Sequence, residues 1–292
     1  MRDEIQIIFT KKCEKLAWTI ATHLSISAFQ DSVRIFKNAE ISVSIPRICR
    51  ESIVIASTIT NNDWIELFLL LNAVRHSQRI ILCMPFMGYA RQDLILPNES
   101  CGAQVFACLL DSTKISQCIT LEQHSVPMTR TPTIDVCVDD LFISDIMDKF
   151  STSQIAIVSP DLGGAARASR IAKKLNADFA VCRKVKTVFG DMKQVDVIGD
   201  VRGKICIIVD DIIDSGATMF HAAEALTSAG AAAIVAYAVH GLFSGNAVEK
   251  LEGSVIKEIV LTDSVSSSYK LPKKFRELSV DSLLIETIRE IL

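Results

Sequence analysis

The chain has 292 residues, 49% of them hydrophobic, with only 12 Gly and 7 Pro; this excludes a fibrous or disordered protein and supplies material for two ordinary domains. Its 31 basic and 34 acidic residues leave a net charge of −3, which offers no basic surface for a nucleic-acid partner. The nine cysteines, spread from Cys13 to Cys206 without a C-x-x-C pair, point to neither a disulfide framework nor a thiolate zinc site and fit a reducing cytoplasm.

The opening MRDEIQIIFTKKCEKLAW has acids before its apolar run and lysines after it. That order is wrong for a secretory signal, and the segment reads as a first strand at 5–9 followed by a helix. Short β-branched apolar runs follow at 52–57, 79–84, 116–121, 154–159, 179–182, 204–209, 233–239 and 258–262. Between them, 64–76, 102–110, 163–174, 218–228 and 280–292 repeat apolar side chains at helical spacing. This alternation predicts strand-crossover-strand units and a largely parallel sheet in each half. The most apolar stretches, 64–74 and 222–239, carry Glu66, Asn72, Glu224 and Gly230. No run of about 18 uncharged apolar residues is left, so neither a membrane span nor a membrane partner is expected. Segment 126–140, with Pro127, Pro132 and two acids at its end, is the expected passage between the halves, placing the boundary near residue 145.

The apolar run 204–209, KICIIV, leads into Asp210 and Asp211, then Asp214, then the turn Ser215-Gly216-Ala217-Thr218 and an alanine-rich helix. In an open parallel sheet, ligands gather at the carboxyl ends of strands. Adjacent carboxylates there accept hydrogen bonds from ribose hydroxyls, and amides at a helix start donate to a dianionic phosphate. The Asp214 carboxylate would repel that phosphate. Taken alone, two acids before a glycine-containing turn are more often caps of an ordinary βα turn. The longer pattern, four hydrophobics, DD, two hydrophobics, D, S/T, G, small, T, closely resembles the ribose-phosphate signature of phosphoribosyltransferases and of ribose-phosphate diphosphokinases, the PRPP synthetases.

A second segment, Pro85-Phe86-Met87-Gly88-Tyr89-Ala90-Arg91-Gln92-Asp93, also follows a strand-like run. It resembles the PYFGYARQD segment of PRPP synthetases, which phosphoribosyltransferases lack. Arg91 can neutralise phosphate oxygens with a forked donor, and Gln92 offers an amide to base or phosphate. The resemblance extends over nearly the whole chain. Phe36-Lys37-Asn38-Ala39-Glu40 stands where the family has its adenine-binding Phe-x-Asp-Gly-Glu loop. His124, in Glu122-Gln123-His124, stands where the family's Asp-Leu-His takes part in magnesium-nucleotide binding. By chemistry alone a lone histidine is a weak magnesium ligand. Asp161, in Ser159-Pro160-Asp161-Leu162-Gly163-Gly164, matches the family's second metal site, although outside the resemblance it reads as a helix cap. Arg183-Lys184-Val185-Lys186 stands at the family's catalytic Lys-x-Arg loop. Lys184 matches the lysine, while Lys186 replaces the arginine, keeping the charge and losing the fork. Without the resemblance this basic run is a solvated face, and the segment 187–194 after it reads as a mobile loop.

The resemblance implies an α/β chain of two similar phosphoribosyltransferase-like domains, each a mainly parallel sheet flanked by helices. Residues 1–145 would bind ATP and residues 146–292 ribose 5-phosphate, with the C-terminal helix free to pack back on the first domain. The implied reaction is attack of the anomeric hydroxyl of ribose 5-phosphate on the β-phosphorus of ATP, giving PRPP and AMP for nucleotide biosynthesis. Phe36, Asn38, Ala39, Glu40, Arg91, Gln92, Asp93 and His124 would bind ATP; Asp210, Asp211, Asp214, Ser215, Gly216, Ala217 and Thr218 would bind ribose 5-phosphate. His124 and Asp161 would hold Mg2+, and Lys184 and Lys186 would be catalytic. A cytoplasmic homo-oligomer, dimer-based and up to a hexamer, is also implied. The chain lacks a Gly-x-x-x-x-Gly-Lys-Ser/Thr loop, so the nucleotide is not held in the P-loop manner. Asn38-Ala39 in place of Asp-Gly, Glu122-Gln123 in place of Asp-Leu, Ala217 in place of the second Gly of Thr-Gly-Gly-Thr, and Leu94-Ile95 in place of a basic pair are departures from the family. They leave an attenuated, regulatory PRPP-synthetase-like subunit as the alternative.

Overall fold

In the computed structural model the chain forms two compact units, Met1–Cys137 with Ser264–Ser266 and Val280–Leu292, and Val138–Asp263 with Ser267–Ser279. The structure describes residues 4–125, 128–186, 193–266 and 270–292, and the backbone alone of 184–186 and 193–194.

The first unit runs β1 (Ile5–Phe9), α1 (Glu14–Leu24), β2 (Ser27–Gln30), an antiparallel ribbon of β3 (Ser32–Ile35) and β4 (Ile41–Ser44), β5 (Glu51–Ile55), α2 (Asn61–Ala73), β6 (Arg79–Met84), α3 (Gly102–Asp111), β7 (Gln117–Leu121) and β8 (Thr133–Val136). Its sheet is all parallel in the order β2-β1-β5-β6-β7-β8. Ile53, Val54 and Ile55 are all fully buried, the mark of a strand covered on both faces, which is why these strands read as unbroken apolar runs. α2 begins with a capping box between Thr60 and Asp63 and buries Trp64, Leu67, Leu70 and Leu71. The segment expected as a passage, 126–140, supplies β8, because Pro132 O takes the Cys118 amide and starts a further parallel pairing.

The strand order of this sheet reverses at β1, with β2 on one side and β5 on the other. Past the ends of β1 and β2 lies Asp31, buried, with neither carboxylate oxygen accepting a hydrogen bond from a donor. Burial first, then the charge of Glu66 on α2, push Asp31 up to about 7, and burial raises Glu66 as well. The nearby cation, Lys12, is engaged with Asp63 at 2.6 Å. An acid whose folded pKa is raised takes up a proton on folding. The contribution of Asp31 to stability therefore declines as pH climbs from the ordinary aspartate value of 3.8 to about 7, and is constant outside that window. Asp31→Asn should remove this decline and stabilise the chain at pH 8 by about 1–2 kcal/mol after allowance for solvent screening. Unfolding midpoints from pH 4 to 8 test this, and an unchanged slope would refute it.

The second unit runs α4 (Asp139–Lys149), β9 (Ile155–Ser159), α5 (Ala165–Leu175), β10 (Asp178–Lys186), β11 (Lys193–Ile198), β12 (Ile205–Ile213), α6 (Ala217–Ser228), β13 (Ala233–Gly241), α7 (Ala247–Glu252), β14 (Glu258–Thr262) and β15 (Phe275–Leu278). The order is β11-β10-β9-β12-β13-β14-β15, parallel except for β11. Tyr237 on β13 donates its hydroxyl to Asp145 of α4 at 2.6 Å, and Arg276 of β15 forks onto the same carboxylate at 3.0 and 2.6 Å. Burial works against the charge on Asp145, but the hydrogen bonds from Arg276 and Tyr237 outweigh it and hold the carboxyl below its ordinary value. α8 (Asp281–Ile291) belongs to the first unit, where it lies against α1 and takes a hydrogen bond from Arg79 to Ile291 O at 2.6 Å.

Candidate active site

In the second unit β12 pairs with β9 only as far as Ile208↔Val158, yet its pairing with β13 continues to Ile213↔Gly241. The strand expected to stop at 209 therefore carries Asp210 and Asp211 within it, past the end of β9. On that open side local bonds replace the ladder, since the Asp211 amide donates to Asp210 Oδ1 at 3.0 Å and the Ile212 amide to Asp211 Oδ1 at 2.9 Å. Strand order reverses at β9, between β10 and β12, and such a reversal leaves a crevice at the carboxyl ends.

Asp161 enters the same crevice from the turn after β9. Its Oδ1 accepts the Gly164 amide at 3.1 Å, and its carbonyl accepts from Ser159 Oγ at 2.6 Å. Asp161 is therefore not the N-cap of α5: that place belongs to Gly164, which makes no side-chain capping bond, and Asp161 instead closes the turn that leads to it. A Cβ on Gly164 would lie 3.0 Å from Ser159 Oγ and 3.8 Å from Asp210 Oδ1, so little more than backbone fits there. Burial, then the charge of Asp211, with Asp161 adding to it, push Asp210 well above the ordinary carboxylate range. Carboxylate oxygens are the ligands a hard divalent cation prefers, and such a charge beside Asp210 would relieve the repulsion. The cationic side chain of Arg167 reaches Asp211, with Nη1 3.7 Å from Oδ1.

Downstream, the Asp214 carbonyl accepts the Ser244 amide at 3.1 Å. Gly216 opens α6 at φ +70°, where a Cβ would press on the Leu251 side chain at 3.0 Å. The glycine is required on both counts. α6 has no acid in its first turn and no hydrogen-bonding cap from Gly216, and the Ala217 amide reaches Ser215 Oγ only at 3.5 Å. Those amides retain capacity for an anion.

In the first unit the loop after β6 is held tightly. Gly88 N donates to Thr58 Oγ1 at 3.0 Å, and Thr58 N to Phe86 O at 3.0 Å. Tyr89, at φ +65°, donates its hydroxyl to Asn61 Oδ1 at 2.6 Å while its ring meets Phe106 at 4.3 Å. The loop after β7 leans on this one, with Gln123 Nε2 3.0 Å from Met87 Sδ and Ser125 Oγ 3.0 Å from Ala90 O. His124 is thereby brought beside the segment bearing Arg91, Gln92 and Asp93; His124, Arg91 and Gln92 are exposed.

Phe36, Asn38, Ala39 and Glu40 are carried by a different element, the tip of the ribbon, whose β4 lies against α2. Phe36 N donates to Glu40 O at 2.8 Å and Ala39 N to Phe36 O at 2.9 Å. Ala39 has φ +67°, a left-handed conformation that disfavours any Cβ. Ala39→Gly should therefore stabilise the tip by about 0.5–1 kcal/mol and Ala39→Val weaken it. Slower exchange of the Phe36 amide in the glycine variant would check this; equal exchange in all three proteins would refute it.

β10 carries Lys184 opposite Val195 and Lys186 opposite Lys193 of β11. The two lysine side chains, and residues 187–192 of the expected mobile loop, lie outside the described residues. Residues 193 and 194 of that loop belong to β11. Arg167 was not singled out in the sequence. Its one signal was a cation in the first turn of the helix that follows Gly163-Gly164.

Comparison with known proteins gives these sites a context. The N-terminal domain of ribose phosphate pyrophosphokinase matches residues 5–113, and the phosphoribosyl synthetase-associated domain matches residues 165–292. A ribose-phosphate pyrophosphokinase of Bradyrhizobium diazoefficiens is 35% identical over 97% of this chain and 93% of its own. The chain belongs to the ribose-phosphate pyrophosphokinase family. Another such protein, from Vibrio parahaemolyticus, is 36% identical over 95% of this chain and 92% of its own. The crystal structure of phosphoribosylpyrophosphate synthetase from Mycobacterium smegmatis, 26% identical, matches with a TM-score of 0.90 over 99% of this chain and 98% of that one. The α/β architecture of mainly parallel sheets flanked by helices is thus shared with a ribose-phosphate pyrophosphokinase relative. Among the described residues, no helix is long and apolar enough to cross a membrane.

Proposed function

We propose that this ribose-phosphate pyrophosphokinase family member transfers the diphosphoryl group of ATP to the anomeric hydroxyl of ribose 5-phosphate, yielding PRPP and AMP. The first unit would take the nucleotide and the second the sugar phosphate, with the division at 137/138 rather than near 145. The observation that carries this reading is the crevice beyond β9, where Asp161, Asp210 and Asp211 gather beside the start of α6. Asp210 and Asp211 would accept hydrogen bonds from the ribose hydroxyls. The amides at Ser215, Gly216, Ala217 and Thr218, with the two hydroxyls, would donate to the 5-phosphate. Asp214 serves through its backbone, which avoids setting a carboxylate against a phosphate.

On the nucleotide side, the exposed ring of Phe36 offers a face to adenine, and Asn38, Ala39 and Glu40 shape the tip around it. Arg91, Gln92, Asp93 and His124 form the phosphate-facing group, with Arg91 supplying the fork. Lys184 and Lys186 place positive charge on the group in transfer, since phosphoryl chemistry depends on alignment and charge neutralisation more than on covalent help. Mg2+ is the proposed cofactor, with Asp161 as a ligand on the sugar side and His124 on the nucleotide side. When bound it screens phosphate charge and polarises the phosphorus centre. The oxygen-rich surroundings of Asp161 suit it better than a lone imidazole does. A dimer-based homo-oligomer in the cytoplasm completes the reading.

Incubation with ATP, Mg2+ and ribose 5-phosphate should release AMP and form PRPP in equal amounts; no AMP at saturating substrates would refute the activity. The exposed Leu94 and Ile95, 70% and 71% accessible where the family has a basic pair, favour the second reading, a regulatory subunit. That reading requires co-purification with an active relative, and full turnover by the isolated chain would exclude it.

A further inference from the structure

Arg167 occupies the first turn of α5, a place where the helix N–H groups disfavour a cation. Its side chain is nevertheless only 12% exposed, and the carboxylate it approaches, Asp211, only 8%. Enclosing a guanidinium costs free energy unless an acid meets it, and here the acid is one of the two adjacent aspartates at the end of β12. Asp211 Oδ1 accepts the Ile212 amide at 2.9 Å and lies 3.7 Å from Arg167 Nη1, an ion pair rather than a hydrogen bond. The amide bond and the facing cation together favour one rotamer of the carboxylate. Gly164, three residues earlier, permits the approach of α5, since a Cβ there would already lie 3.0 Å from Ser159 Oγ.

We propose that Arg167 is a positioning residue of the sugar-phosphate site, holding Asp211 as an oriented carboxylate that meets the ribose hydroxyls without rearrangement. The inference rests on the reading of Asp210 and Asp211 as ribose ligands and adds a residue from a different helix. Arg167 acts through Asp211 and not on the group in transfer. Its loss weakens sugar-phosphate binding and leaves nucleotide binding alone.

The test uses the full chain as wild type, Arg167→Gln and Arg167→Lys, with KM for each substrate, ribose 5-phosphate binding by calorimetry, and unfolding midpoints. Arg167→Gln should raise both KM and Kd for ribose 5-phosphate about 10-fold or more with KM for ATP unchanged, while the unfolding midpoint falls because the enclosed Asp211 loses its cation. Arg167→Lys should recover part of the loss, because it restores charge without the fork. Unaltered ribose 5-phosphate binding in Arg167→Gln, beside a wild type that binds, would overturn the positioning role alone. So would a joint rise of both KM values. A wild type that binds no ribose 5-phosphate would overturn the substrate reading itself, and the inference with it.

Discussion

Lys184→Ala should lower the rate of AMP release by about 10²–10³-fold while leaving the unfolding midpoint unchanged. A fixed cation aimed at charge that develops in the transition state contributes on that scale in other enzymes. Stability should not follow, because β10 is held by its pairing with β9 and β11 through the backbone, with Lys184 opposite Val195, and that ladder does not require the lysine side chain. Initial rates at saturating ATP and ribose 5-phosphate, together with a melting curve, check both halves of the statement. Normal turnover of the alanine variant would remove Lys184 from the chemistry. Lys186→Arg provides a complementary gain: restoring the forked donor should raise kcat, and a lowered kcat would show that the site is adapted to the shorter point charge.

Gly88→Ala should be the most damaging single methyl in the first unit. Its Cβ would lie 2.2 Å from Thr58 O and 3.3 Å from Trp64 Nε1. The first of these is backbone next to β5 and cannot swing aside as a flexible side chain would. Either the loop after β6 lifts off, breaking the bond from Gly88 N to Thr58 Oγ1, or the strain spreads into the Trp64 packing. Overpacking of this severity costs about 3 kcal/mol, on the order of 5–10 °C in the melting of a unit this size. Because the same loop carries Arg91 and Gln92, KM for ATP should rise with it, while ribose 5-phosphate binding by the second unit stays as it was. A variant with wild-type melting and ATP affinity would contradict the packing seen at Thr58.

Central parallel strands were legible in the sequence because both their faces are buried. The apolar runs at 79–84 and 258–262 coincide with β6 (Arg79–Met84) and β14 (Glu258–Thr262). The ribbon was not legible, since all four residues of β3 are exposed and its strands therefore carry no run of buried side chains. β11 escaped notice for a related reason: it is an outer strand whose polar residues alternate with Val195 and Val197. In α4 only Phe142 and Ile146 form an apolar stripe, and the third buried position, Asp139, depends on Arg170, 31 residues away. The motifs of the candidate site were visible as words in the chain. The contacts of Arg167 with Asp211, Gly88 with Thr58 and Gln123 with Met87 were not, because each joins segments that only tertiary folding brings within range.

The strand reversal of the first unit falls at β1, yet the phosphate-facing nucleotide segments proposed there follow β6 and β7. The ground beyond β1 is taken up by the chain itself, by the pairing of Lys12 with Asp63 and by buried Asp31 beside Glu66. In the second unit the corresponding ground beyond β9 holds the aspartates assigned to the sugar. Two sheets of the same design thus make opposite use of the same location, one as a vestibule and the other as masonry. The filled position is under no obligation to recognise a substrate. Compatible apolar replacements of Asp31 and Glu66 together should therefore be tolerated there, whereas the equivalent freedom at Asp210 and Asp211 would cost the enzyme its substrate.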